Sequence, residues 1–108
     1  MQIAPITGAV KAKLFRGLSD QSRLTILETL RNKPLTVSEI VERTGLSQPN
    51  VSNHLGCLKS CGLVVSNQSG RYVTYRLSNQ SVEKLLLIAD GLLEECANSI
   101  ETCDHYTH

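Results

Sequence analysis

The stretch Ser47-Gln48-Pro49-Asn50-Val51-Ser52-Asn53-His54-Leu55-Gly56-Cys57-Leu58-Lys59-Ser60-Cys61-Gly62 decides how the chain is read. Ser47 is an N-cap type, Pro49 suits a first turn where its missing N–H costs nothing, and Gly62 suits a left-handed C-terminal cap. Both ends of one helix over 47–61 are thereby marked. Val51, Leu55 and Leu58 recur at the i, i+4, i+7 spacing of a single buried stripe. The rest of the surface is left free. Asn50, Ser52 and Asn53 are short, uncharged hydrogen-bonders of the kind that meet phosphates and base edges. Cys57 and Cys61, four apart, neighbour one another off the apolar stripe. Such a helix would touch DNA through its N-terminal half and offer two soft ligands from its C-terminal half.

Immediately upstream, Thr36 with Glu39 three residues later has the spacing of a capping box, followed by apolar Ile40 and Val41 and ended by Gly45. This predicts a helix over 36–44. Two helices joined by a short Gly-containing turn form a helix-turn-helix whose second member reads DNA, although such pairs also occur as plain packing units. Further back, Val10, Leu14, Phe15 and Leu18 alternate with Lys11, Lys13 and Arg16 in an amphipathic helix over 9–18. A second helix over 20–31, capped by Ser19 or Asp20, carries a stripe of Leu24, Leu27 and Leu30 with Ile26 beside it. Asn32, Lys33 and Pro34 end it.

Downstream, Leu63-Val64-Val65, the turn residues Ser66 to Gly70 and the alternating Tyr72 to Leu77 predict a β-hairpin over 63–77, placed as a wing. Arg71, at the edge of the turn, either reaches a phosphate or the minor groove or is simply solvated. A long helix over 80–101 follows. Its Val82, Leu86, Ala89, Leu93, Cys96 and Ile100 step alternately by four and three, a heptad seam that Leu85 and Leu92 widen. So wide an apolar surface predicts a two-fold dimer interface, shared with the first helix, with Cys96 as a small core residue of the seam. The tail 102–108 gathers Cys103, Asp104, His105 and His108, a dense set of donors or an ordinary frayed end. The expected fold is mainly α with a small β-hairpin (α+β). It is a single winged helix-turn-helix domain over 1–108 that dimerises through its first and last helices.

Composition bounds the function. The 108 residues carry 41% hydrophobic and 19% charged side chains, globular values for one domain. No run approaches the roughly 20 apolar residues of a membrane span, and no signal-peptide core is visible, so a cytoplasmic protein with no membrane partner is expected. Residues 1–76 hold ten Lys/Arg against four Asp/Glu, whereas residues 77–108 hold one against six. A basic body suits a polyanion. Aromatic content of 4% supplies single-strand stacking poorly. The four cysteines, 57, 61, 96 and 103, would pair as disulfides in a secreted chain and bind metal or act in redox chemistry in an intracellular one. No Gly-rich phosphate loop, paired carboxylates or nucleophile with a placed base points to an enzyme.

Taken together, Leu18-Ser19-Asp20-Gln21-Ser22-Arg23-Leu24-Thr25-Ile26-Leu27, Leu46 to Leu55, Gly62-Leu63-Val64 and Gly70-Arg71-Tyr72-Val73-Thr74-Tyr75 resemble the ArsR/SmtB family of winged-helix repressors. The resemblance implies a homodimer that binds double-stranded operator DNA when free of inducer and releases it on binding a metal ion or on thiol oxidation. It implies DNA contacts from Ser47, Gln48, Asn50, Ser52, Asn53, His54 and Arg71. Ligand positions of one subgroup hold Asn79, Ser81, Leu92 and Glu95, three of which are not the expected ligands. A second subgroup's thiol motif is absent from Val37-Ser38-Glu39-Ile40-Val41. The cadmium- and lead-sensing members are matched by Cys57, Cys61 and Cys103, with Asp104 or His105 available for a fourth position. The implied inducer is Cd, Pb or Zn, with no organic cofactor. A thiol-based redox or persulfide sensor of the same fold is the alternative.

Overall fold

The computed structural model describes residues 7–101, without the side chains at 97, 98 and 101. The chain divides into two units, Met1–Ser78 and Asn79–His108. In the first, α1 (Gly8–Leu18) is capped by Thr7, whose hydroxyl accepts from the Val10 amide at 3.2 Å. It buries no side chain, and Val10, Leu14 and Phe15 stand exposed along it. Helix α2 (Gln21–Thr29) starts at Asp20, the cap, and not at Ser19. Ile26, Leu27 and Leu30 face inward, while Leu24, read from the sequence as part of the buried stripe, is 37% exposed. Positions i, i+1 and i+4 also share one helical face, and α2 turns that face to the core.

Strand β1 (Leu35–Thr36) has no counterpart in the sequence reading. Its pairing partners, Tyr75 and Thr74, lie some forty positions away, so a two-residue strand had no local pattern to betray it. Thr36 then caps α3 (Val37–Thr44): its hydroxyl accepts from the Glu39 amide and the Glu39 carboxylate accepts from the Thr36 amide, the reciprocal capping box. Gly45, at φ +76°, closes α3 in the left-handed region. Three residues, Gly45, Leu46 and Ser47, lead into α4 (Gln48–Ser60).

Helix α4 buries Val51, Leu55 and Leu58 to 2% exposure or less. Each such residue contributes roughly 1.5–3 kcal/mol of burial, and with Ile26, Leu27, Leu30, Leu35, Ile40 and Val64 they are the buried apolar residues of this unit. The helix ends in a Schellman motif. The Leu63 amide donates to the Leu58 carbonyl at 2.9 Å, the Gly62 amide to the Lys59 carbonyl at 3.0 Å, and Gly62 itself takes φ +80°.

Strands β2 (Val64–Ser69) and β3 (Tyr72–Leu77) form the antiparallel hairpin, and the sheet order is β1-β3-β2. Residues Ser66 to Ser69, expected as turn, belong to β2, because Ser69 pairs with Tyr72 across a loop of only Gly70 and Arg71. Gly70 supplies the positive φ (62°) that such a tight hairpin needs at its first central residue, and Arg71 sits at the tip itself.

In the second unit, α5 (Gln80–Glu101) opens on Asn79, whose side-chain carbonyl accepts from the Ser81 amide at 2.8 Å. Along the expected seam Val82 and Leu86 are buried, but Ala89 and Leu93 are exposed and Cys96 is half-buried, so Cys96 is not a core residue of the single chain. Leu87, Ile88 and Leu92 are exposed as well. No helix among the described residues is long and apolar enough to cross a membrane.

Gly56, within α4, and Gly62, at its C-terminal close, should respond in opposite directions. Gly56→Ala lies mid-helix with nothing within 4 Å of the added methyl and should stabilise by roughly 0.5–1 kcal/mol, whereas Gly62→Ala forces a side chain to φ +80° and should cost about 1 kcal/mol or more. Urea midpoints of the two variants check this, and a shift of the same sign in both would contradict the capping geometry.

Candidate DNA-reading helix and thiol site

The N-terminal half of α4 is a polar surface anchored from beneath. Ser47 is its N-cap and accepts from the Asn50 amide at 3.3 Å, which leaves Gln48, Asn50, Ser52 and Asn53 exposed around the first two turns. His54 is half-buried, its Nε2 3.9 Å from Asp20 Oδ2. That contact ties α4 to the start of α2. Arg71 lies exposed at the hairpin tip, and Lys59 at the far end of α4 donates to the Ser66 hydroxyl of β2 at 2.8 Å. The wing is thus fastened to the helix it flanks.

Asp20 does two jobs with one carboxylate. It accepts from the Arg23 amide at 2.9 Å as the cap of α2, and this hydrogen bond is the main reason its carboxyl titrates below the ordinary value. Partial burial opposes the shift, and the His54 and Arg23 charges add to the lowering. Glu39 is likewise lowered, chiefly by the Thr36 amide it accepts from in the capping box.

The C-terminal half of α4 carries the thiols. Cys57 and Cys61 are both free and exposed, one turn apart, with the Cys61 amide donating to the Cys57 carbonyl at 3.0 Å. Both line one cavity of about 50 Å³, walled by Lys13, Leu14 and Gly17 of α1 and by Leu58 and Leu63 beneath. Arg23 of α2 closes it, donating through Nη1 to Cys57 Sγ at 3.7 Å and through Nε to the Gly17 carbonyl at 3.0 Å. This arginine is a site residue that the sequence reading missed. Thirty-four positions separate it from Cys57, and only packing of α2 on α4 brings them together.

Two thiols one turn apart on the lining of one cavity suit a soft cation and not Mg or Ca. They are two candidate ligands. Among the described residues no three His, Cys, Asp or Glu side chains come together as a ligand set. Cys103, Asp104 and His105, expected to complete it, lie outside the described residues. The expected dimer residues Val82, Leu86, Ala89, Leu93 and Cys96 all lie on α5, away from the thiol pair in sequence.

Comparison with known proteins bears on the family and the fold. Residues 20–66, which run from the cap of α2 into β2, match the family model described as bacterial regulatory protein, arsR family. A protein of Streptomyces lividans named "Probable mercury resistance operon repressor" is 36% identical over 92 residues, 85% of this chain and 74% of that one. The HTH-type transcriptional regulator CmtR of Mycobacterium tuberculosis is 40% identical over 75 residues, 69% of this chain but only 64% of its own length. The solution structure of the cadmium metal-sensor CMTR from the same organism superposes with a TM-score of 0.62, covering 69% of this chain and 78% of that one at 40% identity. The homodimeric winged helix-turn-helix DNA-binding domain Mb0332 of Mycobacterium bovis superposes with a TM-score of 0.73 over 98% of this chain and all of that fragment, at 26% identity.

The Asp20 carboxylate gives the site a pH signature. Its folded value lies below 3.8, so its contribution to stability is present above the unfolded value and is lost as pH falls through the carboxylate range. Asp20→Asn keeps an N-cap acceptor but cannot titrate. Urea midpoints measured from neutral pH down to about pH 3 should therefore fall less steeply for the variant than for the parent. Parallel slopes would mean that the charge of Asp20 contributes nothing.

Proposed function

This chain belongs to the arsR family of bacterial regulatory proteins, and on that premise we propose that it is a metal-responsive transcriptional repressor. As a homodimer free of metal it binds double-stranded operator DNA, and a thiophilic divalent ion, Cd or Pb with Zn as the borderline case, releases it. One observation carries the reading. The helix whose N-terminal half exposes Asn50, Ser52 and Asn53 carries, one turn apart at its other end, two free thiols opening on one cavity.

The reading face is Ser47, Gln48, Asn50, Ser52, Asn53 and His54, with Arg71 reaching the backbone or minor groove from the wing tip. Amide side chains such as Asn53 discriminate bases by paired donor and acceptor, while the ten Lys/Arg of residues 1–76 supply the attraction to phosphate. The exposed leucines of α5 and the exposed apolar side chains of α1 are surfaces that a second copy covers. Cys57 and Cys61 hold the ion from α4, and Cys103 supplies the third sulfur, with Asp104 or His105 available as a fourth donor. A soft cation bound there draws the acidic C-terminal segment onto the reading helix, which changes the angle or spacing of the two paired helices. Dimers read half-sites at fixed separation, so such a change weakens specific binding.

The test is operator affinity of the reduced chain at fixed salt, with and without Cd, alongside the ultraviolet absorption of sulfur-to-metal charge transfer. Cys57→Ser should keep operator binding and lose both the absorption and the release. Asn53→Ala should weaken operator binding by about tenfold, the lower range for one lost base-edge pair, with metal stoichiometry unchanged. Loss of operator binding in the metal-free Cys57→Ser protein would show the thiol to be structural and remove it from the sensor.

A further inference from the structure

The hairpin has two faces, and so far only its tip has been given a role. On β2, Val64 is buried and Ser66 accepts from Lys59 of α4, so the face that begins with these two residues turns toward the body of the unit. Successive strand residues alternate between faces, and residues paired across strands share one. Val65, Asn67 and Ser69, with their partners Arg76, Thr74 and Tyr72, therefore make up the opposite face. Tyr72 is 64% exposed, and Asn67, Ser69 and Arg76 stand exposed with it. The Thr74 hydroxyl donates to the Asn67 carbonyl at 3.4 Å across the two strands. Arg76 donates through Nη1 to the Leu77 carbonyl at 3.2 Å, which steadies its planar fork.

Charge complementarity names the occupant of this face. Residues 43–82, which include all of α4 and the whole hairpin, contain no Asp or Glu and carry Arg43, Lys59, Arg71 and Arg76. Hydroxyls, an amide and a guanidinium on an acid-free surface are the donors that phosphate oxygens take. The hydrogen bond from Lys59 to Ser66 joins this sheet to the reading helix, so the two belong to one continuous basic surface. From Tyr72 to Arg76 the strand advances about 13 Å, the axial length of roughly four base pairs. We propose that this outer face of the wing binds the sugar-phosphate backbone of duplex DNA flanking the bases that α4 reads, with the Arg76 guanidinium and the Tyr72 hydroxyl donating to phosphate oxygens. This rests on the DNA-binding reading above and deepens it, since only Arg71 at the tip was placed on DNA from the wing. Backbone contacts position a protein without reading sequence, so the face tightens binding to any duplex.

The experiment uses the full reduced chain without metal and a labelled duplex of mixed sequence, about 30 base pairs long, followed by anisotropy across a salt series. Arg76→Gln should reduce the slope of log affinity against log salt by about 0.9, the share of one neutralised phosphate, and Arg76→Lys should restore it. Tyr72→Phe should lose about three- to tenfold in affinity at every salt concentration with the slope unchanged, because a hydroxyl displaces no counterion. Both positions are exposed, so these variants leave the core intact. Arg16→Gln, which removes one exposed charge from α1, is the control for net charge and should change the slope by less than half as much. An equal fall in slope for Arg16→Gln and Arg76→Gln would assign the effect to net charge and overturn the proposal, as would an unchanged slope in Arg76→Gln or unchanged affinity in Tyr72→Phe. Failure of the parent chain to bind duplex at low salt would overturn the DNA-binding reading itself, whereas salt-dependent parent binding that the wing variants leave intact overturns this proposal alone.

Discussion

The structure depends on the burial of one stripe of α4. Val51, Leu55 and Leu58 lose nearly all contact with water, and the Schellman closure at Gly62 fixes where the helix stops. A helix has one face to give to a core of this size. Once that face is committed, the orientation of every other residue on α4 follows from the 3.6-residue repeat. The amides and hydroxyl of the first two turns are directed outward, and the two cysteines come to lie side by side over the cavity that α1 and α2 form.

Three polar ties fasten this helix to its surroundings, and they are spread along its length. His54 meets Asp20, Cys57 meets Arg23, and Lys59 meets Ser66. The first two come from residues three apart on both helices, so α2 and α4 touch through matched turns. Each tie alone is worth little where solvent reaches it. Their value is geometric: Asp20 begins α2, Arg23 is in its first turn, and both positions are fixed by the same capping hydrogen bond. Cys57 is thereby linked through Arg23 to Asp20, the residue that caps α2.

Much of this was legible in the residues alone, because local rules governed it. The capping residues Thr36 and Ser47, the left-handed glycines 45 and 62, and the Val51-Leu55-Leu58 stripe each act within one or two turns of sequence, and each was read where the structure has it. What escaped was non-local. Strand β1 exists only because β3 lies beside it; Leu24 is displaced from the core by a rotation of α2 that favours Ile26; the hairpin turn shortened to Gly70 and Arg71 once the register with β3 was set. Arg23 stood in view as part of a motif, but nothing in its neighbourhood of sequence names Cys57 as its partner.

The same rigidity constrains how an ion at the thiols would act on DNA. Asn53 and Cys57 are one turn apart on a single helix, so a cation cannot loosen the reading face locally without unwinding hydrogen bonds that the buried stripe holds in place. On the proposed function, the ion would then act by moving α4 as a body relative to its counterpart in a dimer, for which the apolar side chains exposed on α1 and α5 offer a surface. On the proposed function such coupling would be reciprocal: whatever factor an ion imposed on operator affinity, the operator would impose on ion affinity. Arg23 reaches the Cys57 sulfur from α2 and not from α4, so a movement of α4 as a body would have to carry α2 with it or give up that contact.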